Sequence, residues 1–259
     1  MTDVDVSYSE LLAFPQTSPI LRPGLLTPFG YSIVPIKAEN RMLLPFDFQK
    51  DPYLILDFSA TNPDLDPERR PNLDLTNTAQ FTDYVFGQLR ASGVRVGVGG
   101  YNEHRVIYRR SKHFNAVNEP REIHLGIDLW ADAGTPVFAP LDGIVHSFQD
   151  NAHFGDYGPT IILEHHNADG PRYSLYGHLT RQSLEGLYEG QVFNAGEKLG
   201  EIGPYPENGD WPPHLHFQLM TDMLGLKGDF PGVCSLTDRA KFLAICPNPN
   251  RFLTIPGLS

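Results

Sequence analysis

Residues 122–140 form the stretch EIHLGIDLWADAGTPVFAP, which decides the predicted fold. The first half of this stretch alternates, with His124, Gly126 and Asp128 on one face and apolar residues on the other. The apolar residues are Ile123, Leu125, Ile127 and Leu129. A period of two is typical of a half-buried β-strand, whereas a helix has a period near 3.6. We therefore predict one strand that presents an imidazole and a carboxylate together, with the glycine leaving space for an ion between them.

From about residue 120 onward, the sequence predicts a series of short strands separated by turn residues. They are predicted in GTPVFAP (134–140), GIVHSFQ (143–149), PTIILEHH (159–166), RYSLYGHL (172–179), QVFNAGEKLGEIG (191–203) and HLHFQLM (214–220). The 24 glycines and 23 prolines, together with the scarcity of long helical patterns, favour the same architecture. We therefore predict a mainly β fold, an antiparallel sheet or sandwich.

Residues 1–115 differ from the rest in being rich in proline and aspartate, and they predict an α+β N-terminal extension. Within it, YLILDFS (53–59) predicts a strand. The segment TNTAQFTDYVFGQLRASG (76–93) predicts a helix with a threonine or asparagine cap and a glycine just past its end. The segment VRVGVGGYNEHRVIYRRS (94–111) predicts a hairpin with a glycine-rich connection. The role of this extension stays open between a cap, a prodomain and a stabilising region.

Two later strands repeat the pairing of polar and apolar faces. HLHFQ places His214, His216 and Gln218 on one face, and SLYGH places Tyr176 and His178 on one face. Two imidazoles two residues apart on a strand lie about 7 Å apart, so one can bind a metal while the other reaches a substrate. Two nitrogen donors and one oxygen donor with an open fourth position suit a catalytic zinc, whereas a structural zinc usually recruits thiolates. The three faces together predict one shared metal centre.

The other histidines are weaker candidates. His165 and His166 follow a predicted strand and precede a turn, so we expect them to be exposed. His104 and His113 lie in the preceding region. The sequence contains no G-x-S-x-G, no P-loop and no H-E-x-x-H motif, which removes three common catalytic arrangements.

The net charge and the composition limit the classes of partner that we expect the chain to bind. A formal net charge of -11 argues against nucleic acid, because binding there depends on Lys and Arg, and it gives no reason to expect a membrane surface as partner. No apolar run reaches the roughly 18 residues that a transmembrane helix needs. The first residues lack a basic start and an apolar segment, so we expect no signal peptide and a cytoplasmic location as written, or export if the start is truncated or the route is non-standard. Cys234 and Cys246 are either two free buried thiols or a disulfide.

Three motifs, H-x-x-x-D at 124–128, Y-G-H-L at 176–179 and H-L-H-F at 214–217, resemble those of the lysostaphin/LytM-type zinc metallopeptidases. These enzymes, of the beta-lytic metallopeptidase family, cut peptide cross-links of bacterial peptidoglycan. The resemblance covers residues 120–222. It implies a metallopeptidase core of the duplicated hybrid motif type within a domain spanning 116–259.

The resemblance also implies roles for individual residues. It implies one zinc ion per chain, held by His124, Asp128 and His216, and it gives proton handling and support of the tetrahedral intermediate to His178 and His214. All five positions are filled, which favours a working zinc metalloendopeptidase acting on peptidoglycan cross-links or related glycine-containing peptides. A further candidate at the transition state is Tyr176, which is otherwise a core residue.

Three alternatives remain. The chain could be a non-catalytic LytM-like module that binds peptides or regulates a partner. It could be a cytosolic peptidase with a non-wall substrate, since WPPHLHFQ (211–218) resembles modules fused to cytosolic aminotransferase-like enzymes. The related β core also resembles glucose-phosphotransferase carrier domains, but these need no carboxylate ligand, and Asp128 in register with His124 counts against them.

Overall fold

A large, mostly antiparallel sheet dominates the fold. The computed structural model describes residues 42–66, 68–110, 119–166 and 172–258. All of these lie within one compact unit, Lys37–Ser259. Strands outnumber helices throughout the described part of the chain, which confirms the predicted mainly β class.

The elements are short, as the closely spaced turn residues predicted. The strands are β1 Leu54–Leu56, β2 Gly97–Gly99, β3 Arg121–His124, β4 Ile127–Trp130, β5 Pro136–Phe138, β6 Gly143–Asn151, β7 Gly158–Glu164, β8 Tyr173–Gly177, β9 Val192–Phe193, β10 Lys198–Glu201, β11 His214–Met220 and β12 Val233–Ser235. The helices are α1 Thr78–Ala91, α2 Arg239–Ile245 and α3 Asn250–Leu253, with 3-10 turns at Pro63–Leu65, Ile107–Arg110 and Arg181–Leu184.

The main sheet has the strand order β1-β2-β4-β11-β8-β7-β6-β9, and only the β1–β2 pair is parallel. Two smaller sheets pair β5 with β10 and β3 with β12. At the centre, β4 and β11 pair so that Asp128 lies opposite His216 and Leu129 lies opposite Leu215. Because directly opposite residues share a face, this register separates a polar face from an apolar one.

Each face of the sheet packs against its own apolar cluster. The larger cluster covers the apolar face and includes Ile127, Leu129, Leu215 and Phe217. The smaller cluster lies on the polar side and joins residues of α1 to two tryptophans near the histidines. Its members include Phe58, Phe81, Val85, Trp130 and Trp211. The polar face therefore has an aromatic wall supplied partly by the N-terminal extension.

The extension forms the predicted helix and strand but not the predicted hairpin. In α1, the Asn77 side chain caps the N-terminus by accepting from Gln80 N at 3.1 Å, and Gly93 follows the helix with a φ of 69°. In 94–111, β2 pairs with β1 and β4, and residues 107–110 form a 3-10 turn, so the hairpin prediction is wrong. The helices in the described ranges are too short or too polar to cross a lipid bilayer.

The extension also joins the main sheet through β2. Val98 lies opposite Leu129, and Gly99 lies opposite Asp128. The predicted domain division at residue 115 stays a prediction, and the described residues before it supply two strands of the sheet that carries the histidines. Near the other end of the chain, Cys234 and Cys246 are free and buried, which is the first of the two alternatives for the cysteines.

Candidate metal centre

Three predicted ligand residues converge on the polar face of the sheet. His124 Nε2 lies 3.2 Å from Asp128 Oδ1 and 3.1 Å from His216 Nδ1. His216 Nδ1 lies 3.1 Å from the same carboxylate oxygen. All three residues are buried, and these atoms are close enough to share one metal ion.

The chain bends between the first two of these residues, so the predicted single strand through 122–130 is wrong. β3 ends at His124 and pairs with β12, whereas β4 begins at Ile127 and pairs with β11. A Cβ on Gly126 would lie 2.7 Å from His216 Cε1 and 2.7 Å from His216 Nε2. The space above the glycine therefore admits the His216 ring, a ligand side chain, rather than the ion itself.

Hydrogen bonding fixes the tautomer of His124. Its Nδ1 lies 2.7 Å from the carbonyl oxygen of Gly100. A carbonyl can only accept, so Nδ1 carries the proton and Nε2 presents a lone pair. Burial, reinforced by the Arg105 charge, lowers the pKa of His124 to about 4. The ring is therefore neutral at physiological pH, which is the state that binds metals.

Gln218 fixes the tautomer of His216. The Gln218 amide nitrogen donates to Pro231 O at 3.1 Å, so its oxygen faces His216 Nε2 at 3.0 Å. Nε2 thus carries the proton, and Nδ1 presents a lone pair toward Asp128. The strand pattern placed Gln218 on this face without assigning it a role, and its contact to His216 supplies one.

Asp128 completes the set as a carboxylate. Burial alone would raise its pKa, but the positive charge of the Arg105 guanidinium at Oδ2 helps to hold the pKa of Asp128 well below its usual range. Its Oδ1 faces the two histidines, and its Oδ2 accepts a hydrogen bond from Arg105 Nη1. Three acceptor atoms at about 3 Å repel one another unless a cation lies among them. Two imidazole nitrogens and a carboxylate oxygen are a donor set that fits zinc.

Two further histidines stand beside the triad. The rings of His178 and His214 are 4.2 Å apart, and His214 Nε2 lies 3.9 Å from Asp128 Oδ1. Their Nδ1 atoms donate to backbone carbonyls, at 2.8 Å to Asn208 O and at 2.7 Å to Pro212 O, which leaves both Nε2 atoms as acceptors. Burial lowers the pKa of His178 well below its ordinary value and the pKa of His214 to about 4.

A backbone reversal directs His178 toward the centre. β8 ends at Gly177, and His178 has a φ of 62°, a left-handed conformation that is uncommon for a residue with a side chain. The His178 N–H donates to Tyr157 O at 2.8 Å, and the side chain of Asn208 ties the following loop together through Gly203 O and Trp211 O. These contacts stabilise the strained residue, as is common at functional sites.

Tyr176 is not near the metal ligands. It pairs with Phe217 on the apolar face, and its hydroxyl lies 2.9 Å from Ser174 Oγ. Strand alternation predicted that it shares a face with His178, but the reversal at His178 breaks the alternation. Tyr157 is the tyrosine at the centre, with its hydroxyl 3.4 Å from His216 Nε2.

The structure describes three of the four weaker histidine candidates and contradicts the prediction for one of them. His165 is buried, with Nδ1 2.8 Å from Asp142 O and Nε2 2.7 Å from Ser174 Oγ, so the prediction that it is exposed is wrong; His166 is exposed as predicted. The His104 side chain is 39% exposed and pairs with Glu122. His113 falls outside the described residues.

Comparison with known proteins supports the interpretation of these motifs. The profile of peptidase family M23 matches residues 122–227, which confirms the predicted resemblance. The DD-carboxypeptidase/endopeptidase Mpg of Neisseria meningitidis serogroup B is 34% identical over 125 residues, covering 46% of this chain and 26% of that protein. The protein of the same name from Neisseria gonorrhoeae gives the same figures. This chain thus spans about a quarter of the length of these curated relatives.

Solved structures give a weaker likeness. The catalytic domain of the antimicrobial peptidase lysostaphin from Staphylococcus simulans is 26% identical, with a TM-score of 0.35, over 51% of this chain and 80% of that one. A zinc-containing peptidase from Vibrio cholerae is 24% identical, with a TM-score of 0.30, over 40% of this chain and 29% of that one. Scores this low do not establish a shared overall fold.

Proposed function

We propose, from the match of residues 122–227 to the profile of peptidase family M23, that the chain is a zinc-dependent metalloendopeptidase. Its proposed substrates are peptide bonds in peptidoglycan cross-links or in related glycine-containing peptides. The observation that carries the proposal is the convergence of three lone-pair donors from His124, Asp128 and His216 within 3.2 Å of one another.

These three residues would hold one zinc ion. When bound, zinc supplies Lewis-acid chemistry, which acidifies water and polarises a carbonyl group. Gly100 O and the Gln218 side chain orient the two imidazoles by accepting their outward N–H groups. Such outer contacts fix the tautomer and ring direction of metal-binding histidines.

His178 and His214 handle protons in the proposed reaction. Both rings present an unprotonated Nε2 because their Nδ1 atoms donate to carbonyls. One Nε2 takes a proton from the attacking water as the water oxygen bonds to the peptide carbon, and the proton then passes to the departing amine as the C–N bond breaks. The second imidazole hydrogen-bonds the oxygen that gains negative charge. His178 is the outermost of the five residues, at 5% exposure, and His124 is the innermost, at 0%.

The complete set of five residues favours an enzyme over a binding module. A groove that only binds peptide has no need of two buried imidazoles held with free nitrogens beside a carboxylate. Keeping such polar groups buried costs free energy unless each is hydrogen-bonded, and here each outward ring nitrogen has its own partner.

A digest with a chelator tests the proposal. The purified chain is incubated with purified peptidoglycan and with short glycine-rich peptides, with and without a chelator, and then with zinc restored. We expect loss of cross-linked fragments, inhibition by the chelator and recovery with zinc. Uncross-linked stem peptides are analysed in parallel, because the name of the Neisseria relatives pairs a carboxypeptidase with an endopeptidase.

The same digest separates the alternatives. Cleavage of the glycine-rich peptides with intact peptidoglycan would favour a non-wall substrate. No cleavage of any substrate by a zinc-loaded protein would favour the non-catalytic module and would contradict the proposed function.

A further inference from the structure

Arg105 lies outside the family match, contacts one proposed ligand directly and shares a hydrogen-bond acceptor with a second. Its guanidinium is fully buried, and Nη1 donates to Asp128 Oδ2, the oxygen turned away from the histidines. Nη2 donates at 3.2 Å to Gly100 O, the same carbonyl that accepts from His124 Nδ1. Arg105, a side chain of the N-terminal extension, thus contacts Asp128 itself and the Gly100 carbonyl that orients His124.

We infer that Arg105 is a positioning residue of the metal centre, which holds Asp128 and His124 in the geometry that binds zinc. The inference rests on the proposed function, because it assumes that these residues bind a metal. Outer partners of this kind commonly determine metal affinity by fixing the direction of the ligands. The metal centre would then depend on a residue that precedes residues 122–227.

Arg105 is itself held rigidly. Its Nε donates to Glu103 Oε2 at 2.7 Å, and Nη1 also donates to Tyr108 Oη at 3.1 Å. The other Glu103 oxygen accepts from Phe58 N at 2.8 Å. A planar guanidinium fixed at all three nitrogens presents its donors in one geometry, which a flexible lysine cannot do.

Strand β2 leaves room for this guanidinium. Gly99 lies opposite Asp128, and a Cβ on Gly99 would lie 2.6 Å from Arg105 Nη2 and 3.4 Å from Asp128 Cβ. Any larger residue at this position would displace the end of the arginine side chain. Gly99 therefore offers a way to move the guanidinium without changing any charge.

Positioning and charge predict opposite effects on zinc affinity. A cation bonded to Asp128 competes with zinc for the carboxylate, so if charge were dominant, removing Arg105 would tighten zinc binding. If orientation is dominant, removal frees the carboxylate to rotate and loosens zinc binding. Whether the zinc dissociation constant rises or falls when Arg105 is removed therefore distinguishes positioning from charge.

The experiment measures the zinc dissociation constant by competition with a chromophoric chelator. Arg105→Met and Gly99→Ala are each expected to raise it at least about tenfold. Arg105→Lys is expected to raise it less, because one ammonium reaches either Asp128 or Gly100. The control is His104→Gln, which alters the neighbouring contact between His104 Nε2 and Glu122 Oε2, 2.6 Å in the wild type, and should change the constant by less than about twofold. Spectra of the cobalt-loaded variants report ligand geometry independently of activity.

An unchanged or lower dissociation constant in folded Arg105→Met would overturn the inference. If Arg105→Met does not fold, Gly99→Ala and Arg105→Lys test the inference instead, because both variants keep the positive charge. Wild-type zinc affinity and wild-type cobalt spectra in both variants would overturn the inference. A wild-type protein that binds no zinc would instead overturn the proposed function, and this inference with it.

Discussion

Gly126→Ala adds a single methyl group and should weaken zinc binding at the proposed metal centre. The φ of Gly126 lies outside the left-handed range that favours glycine, so the expected effect is that of the added methyl group. That methyl carbon would lie 2.7 Å from two atoms of the His216 ring and 2.7 Å from Phe217 O. The carbonyl belongs to β11 and cannot yield without disturbing the strand pairing.

The size of the effect follows from these distances. An ordinary contact needs about 3.4 Å, so the His216 ring must move by about 0.7 Å. Metal sites tolerate deviations of only about 0.2 Å in ligand distance. We therefore expect zinc affinity to fall at least about tenfold, and the overpacking to lower the free energy of unfolding by about 1–3 kcal/mol.

Zinc competition and urea unfolding of the same samples measure both effects. The matched control is Gly87→Ala at a half-buried position of α1, where an added Cβ meets nothing closer than 3.9 Å. That variant should gain about 0.5–1 kcal/mol in the free energy of unfolding and keep its zinc affinity. Wild-type zinc affinity in Gly126→Ala would refute the assignment of His216 as a ligand packed over the glycine.

Substitutions at His178, Gln218 and His165 test the proton-handling role, the outer contact of His216 and the buried histidine in turn. His178→Ala should keep about one zinc per chain by elemental analysis but lose about 10²–10⁴ in kcat/KM. The control, Tyr176→Phe, should keep both its zinc and its kcat/KM. Loss of zinc from His178→Ala would contradict the proton-handling role of His178. Gln218→Met removes the acceptor for the His216 Nε2 proton and should weaken zinc binding about tenfold, and an unaltered constant would show that the contact is dispensable. Burial lowers the pKa of His165 below its ordinary 6.5, so the folded state favours the neutral ring. The stability that this gives is complete above about pH 6.5 and declines as the pH falls below it. In urea unfolding at about pH 7.5 and about pH 5.5, His165→Gln should therefore lose less stability on acidification than the wild type, and an equal loss would contradict this.

The polar faces that carry the proposed ligands could be predicted from the sequence because alternation along a strand is local, whereas the assignment of His124, Asp128 and His216 to one ion came from the family resemblance. Alternation placed His214 and His216 on one face, and β11 has that geometry. The same logic failed for Tyr176, because alternation holds only while the strand continues and His178 adopts a left-handed backbone. It also predicted one strand through Gly126, where the chain bends to admit the His216 ring.

The supporting contacts could not be predicted in the same way. Arg105 precedes Asp128 by 23 residues and follows β2 in a segment that long-range backbone bridges hold in place, Arg105 to Ser59 and His104 to Ile123. Gly100 contributes a backbone carbonyl, which leaves no mark in the residue type. His165 lies beyond a strand end, where exposure is the usual expectation, but the Asp142 carbonyl and the Ser174 hydroxyl supply partners for its two ring nitrogens.

Zinc K-edge X-ray absorption of the zinc-loaded protein identifies the donor atoms of the proposed ligand set. Zinc bound by His124, Asp128 and His216 should give a shell of nitrogen and oxygen donors at about 2.0–2.1 Å with the scattering pattern of two imidazoles, and His216→Ala should lose one imidazole. A sulfur shell near 2.3 Å, or a spectrum in His216→Ala that is identical to the wild type, would contradict this ligand set.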